Sequence, residues 1–359
     1  MDSLFGVPLT TILAVLAVIV AIAFASLGWI ASRNPLLVRM GLRNVVRRRA
    51  QTVLIVLGLM LSTLIISAAF ATGDTVGYSI TNAIYNDYNE ADVVLFFDQS
   101  KAPTGAESLT DADLARIDEA FRGREDVDAI TGLVQESVPA INAGARLSEP
   151  RAQIVGVDPA TGDDFAALVT EDGEVLRAGD LADGEAYVSA RLARDINIAP
   201  GDDVTVVFNN QSHVLRVRNI VRDNALTAQT AFTSPDGLPS GGVVTRMDTA
   251  RAITGEPDAL SLIVISATGG VRDTIDLIPP LAEDIEAFLD DTAFPAALGT
   301  DKATAVGFAE IIGSVFVSFF LIFGLFSIAA GIMLIFLTFI MLAAERRAEM
   351  GMARAIGMK

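Results

Sequence analysis

Three stretches of this chain carry no charged side chain: residues 3–32, 50–73 and 311–344. Each exceeds the roughly 20 apolar residues a helix needs to cross a hydrocarbon core about 30 Å thick. The whole sequence is 52% hydrophobic yet 19% charged, which is possible only because the two kinds of residue are segregated. Of the 44 acidic residues, 40 fall within residues 73–304, against 16 of the 26 basic ones, so this region nets about −24. The pattern predicts an α+β membrane protein. Three transmembrane helices carry a large mixed α/β extracytoplasmic domain inserted between helices 2 and 3.

Charge sets the expected orientation. Arg33, Arg39, Arg43, Arg47, Arg48 and Arg49 lie between the first two stretches with no acid among them. Arg346, Arg347, Arg354 and Lys359 follow the third. Short basic loops stay in the cytoplasm, so the acidic region is expected on the far side, together with the N-terminus. A cleaved signal peptide places basic residues before its apolar run and small residues after it. Here Asp2 comes first and Trp29 and the arginines follow, so an N-out anchor is expected, with Trp29 at the interface. Gly58 and Ser62 form a small-xxx-small pair that admits a neighbouring helix, although the spacing is common by chance. The 34 uncharged positions of the third stretch would span about 51 Å as one helix. That helix either tilts or projects as a stalk, and Glu310 just above it reads as an interfacial charge rather than a pathway acid.

The acidic region reads as alternating strands and helices. Strands are expected at residues 91–97, 127–130, 133–141, 153–157, 187–188 and 262–266. Thr110 and Asp113 form a capping box ahead of a helix carrying Leu114, Ile117 and Phe121 on one face. Further helices are expected at residues 190–196, 247–254 and 280–288. Residues 204–208 and 214–221 alternate around Asn209-Asn210 as a hairpin, after a turn at Pro200-Gly201-Asp202. Residues 234–242 read as a flexible solvated linker.

Chemistry is sparse. With no cysteine, the outer domain has no disulfides and must hold together by packing. His213, the one histidine, sits in an alternating strand and reads as a surface residue, and without further His or Cys the usual zinc sites cannot be built. Asp163-Asp164, Asp202-Asp203 and Asp290-Asp291 lack EF-hand spacing and read as solvated turns. Neither a nucleophile elbow nor a P-loop occurs. No catalytic residue, metal or cofactor is expected, although an enzyme using a carboxylate pair stays open. So acidic a domain is a poor ligand for nucleic acid, whose binding rests on phosphate neutralisation.

Two segments point further. The first is MGLRNVVRRRAQTVLIVLGLMLSTLIISAAFAT, residues 40–72. The second is LAAERRAEMGMARAIGMK, residues 342–359. Both resemble the FtsX/MacB-like family of ABC transporter permeases. In that family an Arg-Asn pair and an arginine cluster, here Arg43, Asn44, Arg47, Arg48 and Arg49, precede a transmembrane helix and a large outer domain. A later helix ends in a pattern matched here by Glu345, Arg346, Glu349, Met350, Gly351, Arg354, Ala355, Ile356 and Gly357. Residues 186–206, 215–221 and 243–255 resemble the family's MacB-like outer core more loosely. Family members continue past the second pattern into further helices, so this chain is expected to be one part of a longer, duplicated permease.

The apolar and charge pattern divides the chain into an N-terminal transmembrane helix (1–32), a cytoplasmic basic loop (33–49), transmembrane helix 2 (50–73), an extracytoplasmic core (74–304), a stalk with transmembrane helix 3 (305–344) and a cytoplasmic segment (345–359). The resemblance, which covers nearly the whole chain except the first helix, implies that the core is MacB-like and that the last segment is a coupling segment. It implies that Glu345, Arg346, Glu349, Gly351, Arg354, Ala355 and Gly357 dock on a separate cytoplasmic ABC ATPase, across the polar, reversible interface that opposite charges favour. The bland alternative is that Arg346 and Arg347 anchor the helix end to lipid headgroups. Membrane lipids and a second permease unit or an extracytoplasmic adaptor are the other partners implied. The expected activity is movement of the outer domain, driven by the partner's ATP hydrolysis, in export or extraction of lipoprotein, peptide or drug-like cargo. A membrane receptor or a regulator of cell-wall hydrolases shares the topology and is the alternative.

Overall fold

The computed structural model describes residues 3–4, 7–33, 35, 49–165, 168–230, 233–234 and 237–345. These form two units: an outer unit, Ile80–Phe308, and a helical unit made of Met1–Ser79 with Ala309–Lys359.

Three helices dominate the helical unit's sequence: α1 (Leu9–Arg33), α2 (Arg49–Tyr88) and the last helix of the chain, α7 (Asp301–Glu345). The helix expected over residues 50–73 continues unbroken to Tyr88 in α2, because residues 74–88 contain neither proline nor a helix-stopping glycine pair. It runs 40 residues, about 60 Å, and α7 runs 45, about 68 Å. Among the described residues one segment, Asp301–Met333, is long and apolar enough to cross a membrane by length and composition. Of the other two uncharged stretches expected to span, the first is helical from Leu9, as α1, and the second forms the first part of α2.

Within the helical unit α2 and α7 approach closely through glycine. Gly73 is buried, and a Cβ built on it would lie 2.5 Å from a methyl of Val317. One turn on, Gly77 faces the Cα of Gly313 at 4.0 Å from the same construction. The positions run in opposite directions along the two helices, so the pair is antiparallel, and the absent side chains let the backbones meet. The Gly58/Ser62 pair lies in α2, but its side-chain surroundings fall outside the described residues.

The outer unit is built on a nine-stranded sheet. Its strands are β1 (Val93–Phe97), β2 (Val127–Asn142), β3 (Leu147–Val157), β4 (Glu185–Ser189), β5 (Asp203–Phe208), β6 (Gln211–Val221), β7 (Gly242–Arg246), β8 (Leu262–Ala267) and β9 (Ala296–Gly299). The spatial order is β9-β1-β8-β2-β3-β7-β4-β6-β5. An added pairing of Ala140 and Ile141 with Val206 and Thr205 joins β5 back to β2 and closes six strands into a ring. The two short strands expected at 127–130 and 133–141 are one strand of 16 residues. Its first half pairs with β8 in the open sheet, and a register shift between Val138 and Ala140 re-aims its second half into the ring.

Helices cover one face of the open sheet. From α3 (Asp111–Phe121) and α6 (Ile278–Asp291), the side chains Ile117, Phe121, Leu281 and Ile285 share a core with Val93, Leu95, Ile263 and Ile265, while α5 (Met247–Thr254) lies on β2, β3 and β7. Thr110 and Asp113 close the expected capping box at the start of α3. The short helix α4 (Ala190–Asp195) plugs the ring through Leu192. The other face is covered by irregular segments through Phe165, Leu168, Leu181 and Leu226.

Asn209 and Asn210 take φ of 45° and 66°, the left-handed pair that a two-residue hairpin needs. The expected linker 234–242 ends otherwise. Gly242 begins β7, pairing in parallel with Gln153, and its Cα faces the Thr227 carbonyl so closely that an added Cβ would fall 2.0 Å from the oxygen. Gly241 and Gly242 serve backbone packing there, not flexibility.

Candidate functional site at the base of the outer unit

The chain enters the outer unit by the last turns of α2 and leaves it by the first turn of α7. Lys302, one residue into α7, is fully buried, and so is the carboxylate it meets: Nζ lies 2.6 Å from Asp92 Oδ1. The same ammonium donates to the Asn89 carbonyl at 2.6 Å, just past the end of α2. Asp92 accepts from the Ala267 backbone N–H at the end of β8 and from the Thr274 hydroxyl, both at 2.8 Å. One ion pair thus ties together the exit of α2, the onset of α7 and the sheet. Burial pushes the Asp92 carboxyl up and the Lys302 ammonium down, and their mutual attraction opposes both shifts.

Further contacts seat α2. Tyr85 presents its ring to Arg272 at 5.0 Å and to Lys302 at 5.9 Å. Arg272 also donates to Asn82. The Asp87 carbonyl accepts from the Ala225 N–H at 2.5 Å. Two carboxyls beside this junction are perturbed. Burial raises Glu90 to about 7, with Asp128 and Asp92 adding to the shift and Lys302 opposing it. Its Oε2 is buried without a hydrogen-bond partner, as suits a neutral acid better than an anion. Burial likewise raises Asp87 to about 6, against a hydrogen bond from Thr230.

The residues singled out in the sequence lie elsewhere. Arg49 is exposed at the first position of α2, and Glu345 is the last residue of α7. Arg43, Asn44, Arg47, Arg48, Arg346, Glu349, Gly351, Arg354, Ala355 and Gly357 lie outside the described residues. The acidic pairs are turn and surface groups: Asp163 accepts from the Ala178 N–H, Asp202 from the Ala199 N–H, Asp203 pairs with Arg216 and Asp290 with Lys101. Among the described residues no three His, Asp or Glu side chains gather as a metal site. His213 is half-buried opposite Val206, with Nε2 lacking a partner. Glu310 is exposed.

The sequence reading passed over Asp92, Lys302 and Glu90. A signal was there: Lys302 is one of three lysines among 26 basic residues, placed where a long apolar helix begins.

Compared with known proteins, residues 52–275 match the MacB-like periplasmic core domain family, well over half of the chain. The chain belongs to the FtsX/MacB-like family of ABC permeases. The match takes in the segments 186–206, 215–221 and 243–255, together with Asp92 and Thr274. It stops short of Lys302 and of the 345–357 pattern. Two solved structures are similar. The periplasmic region of MacB from Actinobacillus actinomycetemcomitans is 14% identical, with a TM-score of 0.39, over 60% of this chain and 92% of that one. The extracellular domain of the ABC-type transporter YknZ from Gram-positive bacteria is 15% identical, with a TM-score of 0.38, over 58% and 98%. No curated protein matches the chain. Family membership makes this a membrane protein with an extracytoplasmic mixed α/β domain, a component of an ABC-type transporter. Permeases of this family work with cytoplasmic ABC ATPases.

Proposed function

We propose that the chain is the transmembrane permease subunit of an ABC-type transporter or mechanotransmission complex. ATP hydrolysis by a separate cytoplasmic ATPase moves the outer unit, in export or extraction of lipoprotein, peptide or drug-like cargo. In this reading the chain is multi-pass in the plasma membrane. It crosses three times with the N-terminus outside, through residues 1–32, 50–73 and 305–344, and residues 33–49 and 345–359 face the cytoplasm. Glu345, Arg346, Glu349, Gly351, Arg354, Ala355 and Gly357 dock on the ATPase, and Arg43, Asn44, Arg47, Arg48 and Arg49 hold the cytoplasmic face of the membrane.

The observation that carries the reading is the buried Lys302–Asp92 pair. Burying a charge is expensive, and a pair survives there only when hydrogen bonds satisfy it in one geometry. Such a pair fixes how α7 begins relative to the end of α2 and the sheet, as a domain displaced by its helices requires.

Affinity purification of the full-length protein from detergent-solubilised membranes, beside a Glu349→Arg variant, tests the proposal. A P-loop ATPase should co-purify with the native protein and be lost from the variant. Recovery of no ATPase under gentle conditions would sink the proposal and favour a receptor.

A further inference from the structure

Two cavities lie side by side on the loop-covered face of the sheet, of about 260 and 410 Å³. Gln135 and Gln229 line both, so they form one cleft with a shared boundary. The smaller end is apolar, floored by Phe96 of β1 with Leu262 and Val264 of β8 and walled by Tyr88 and Leu226. The larger end is polar, with Ser137, Gln153, Ser240 and Arg151.

The gradient is written into two paired strands. On this face β2 presents Leu133, Gln135 and Ser137 in turn, and β3, paired to it, presents Val155, Gln153 and Arg151. Leu133, Val155 and Val264 are buried, while Val94, Phe96 and Leu262 on the same face remain half-exposed. Gln153 is 5% exposed, and its amide donates to Gln229 at 3.4 Å, so the boundary is made of neutral amide groups.

We infer that this cleft binds a small single-chain amphiphile, its apolar part against Phe96, Leu262 and Val264 and a neutral, hydrogen-bonding head among Gln135, Gln153 and Gln229. A neutral head is favoured over an anion because the boundary offers amides, the surrounding domain is strongly acidic with Asp301 at the apolar end, and Arg151, which lines the polar end, is solvent-exposed and already engaged. A mostly apolar pocket with a few convergent polar groups is the usual form of a small-molecule site. Tyr88 closes α2 and Asp301 opens α7, and both line the apolar end, so the cleft adjoins the helix junction.

The test uses the full-length protein in lipid nanodiscs, without nucleotide or ATPase, so its failure is separate from failure of the permease reading. The probe is N-lauroyl glycinamide with a diazirine at the chain end, and cross-linked peptides are identified by mass spectrometry. Cross-links are expected on the peptides holding Tyr88, Phe96 and Leu262. Val94→Trp, filling the apolar end, should weaken them about tenfold, as expected when about 60 Å² of apolar burial is denied. N-lauroyl glycine, the carboxylate analogue, should compete less well than the amide, and Gln229→Leu should erase that difference. Cross-links confined to α1 and the apolar parts of α2 and α7, or unaltered by Val94→Trp, would overturn the site. Equal competition by the carboxylate would overturn the neutral head.

Discussion

Lys302 shows how much one side chain can fix. A lysine ammonium is a compact point charge with three donors, and here it spends them on a carboxylate, a carbonyl and, more distantly at 3.5 Å, the Thr274 hydroxyl. Breaking such a pair leaves a buried charge unmatched, so Lys302→Ala should destabilise the protein by about 3–5 kcal/mol. Replacing both partners, as Asp92→Asn with Lys302→Met, removes both charges, keeps an acceptor for the Ala267 N–H and turns an amide NH2 toward the Thr274 hydroxyl, which can accept from it. The double variant should recover most of that loss, with a coupling of about 2–3 kcal/mol in a double-mutant cycle read by thermal unfolding in nanodiscs. Additive losses would mean that the pair does not act as a unit. Glu90 makes a prediction of opposite character. Its folded carboxyl titrates at about 7, above its ordinary 4.5, so the native state holds the proton more tightly than the unfolded chain does. The stabilisation is complete below 4.5 and is lost as pH rises through about 7. Asp87, raised to about 6, acts in the same sense. Unfolding midpoints should therefore fall as pH rises from about 4 to about 7, and Glu90→Gln should flatten that fall. An unchanged slope in the variant would place the titration elsewhere.

Between elements, α2 and α7 approach closely in the helical unit. Gly73→Leu should force the helices apart, because even a Cβ would meet Val317. Val317→Ala in the same chain should restore part of the loss in thermal stability, and no rescue would show that the two positions do not share a contact. Gly73 and Gly77, which make this approach, were not singled out in the sequence, because small-residue spacing recurs by chance and only packing selects among the candidates. Elements with local causes were legible: the Thr110–Asp113 box, the Asn209-Asn210 bend and the helix Met247–Thr254 all follow from nearby residues. Elements defined by distant partners were not. Strand β9 has only four residues and little alternation, and β7 hides behind glycines whose role is close packing with Thr227 and Leu192. Closure of the ring through Ala140 and Val206 depends on a bulge that no single-strand pattern announces. The junction was illegible for the same reason, since Asp92 and Lys302 are 210 residues apart.

Across the molecule, segregation of charge was readable at once, because membrane insertion and solvation of an acidic domain act on composition before they act on fold. The outer core and the family could be read from segments that lie within the matched residues. The arrangement of the sheet also has a mechanical side. Strand β9 is the outermost strand of the open sheet, bonded on one side only, to β1, and it directly precedes α7. Tension drawn along α7 toward the membrane would peel such a strand one hydrogen bond at a time, the weakest way to load a sheet. Lys302 sits in the first turn of the helix, three residues past the strand. It clamps the helix to Asn89 and Asp92 before any load reaches β9, as the collar on a cable keeps a pull on the cord from reaching the solder joint.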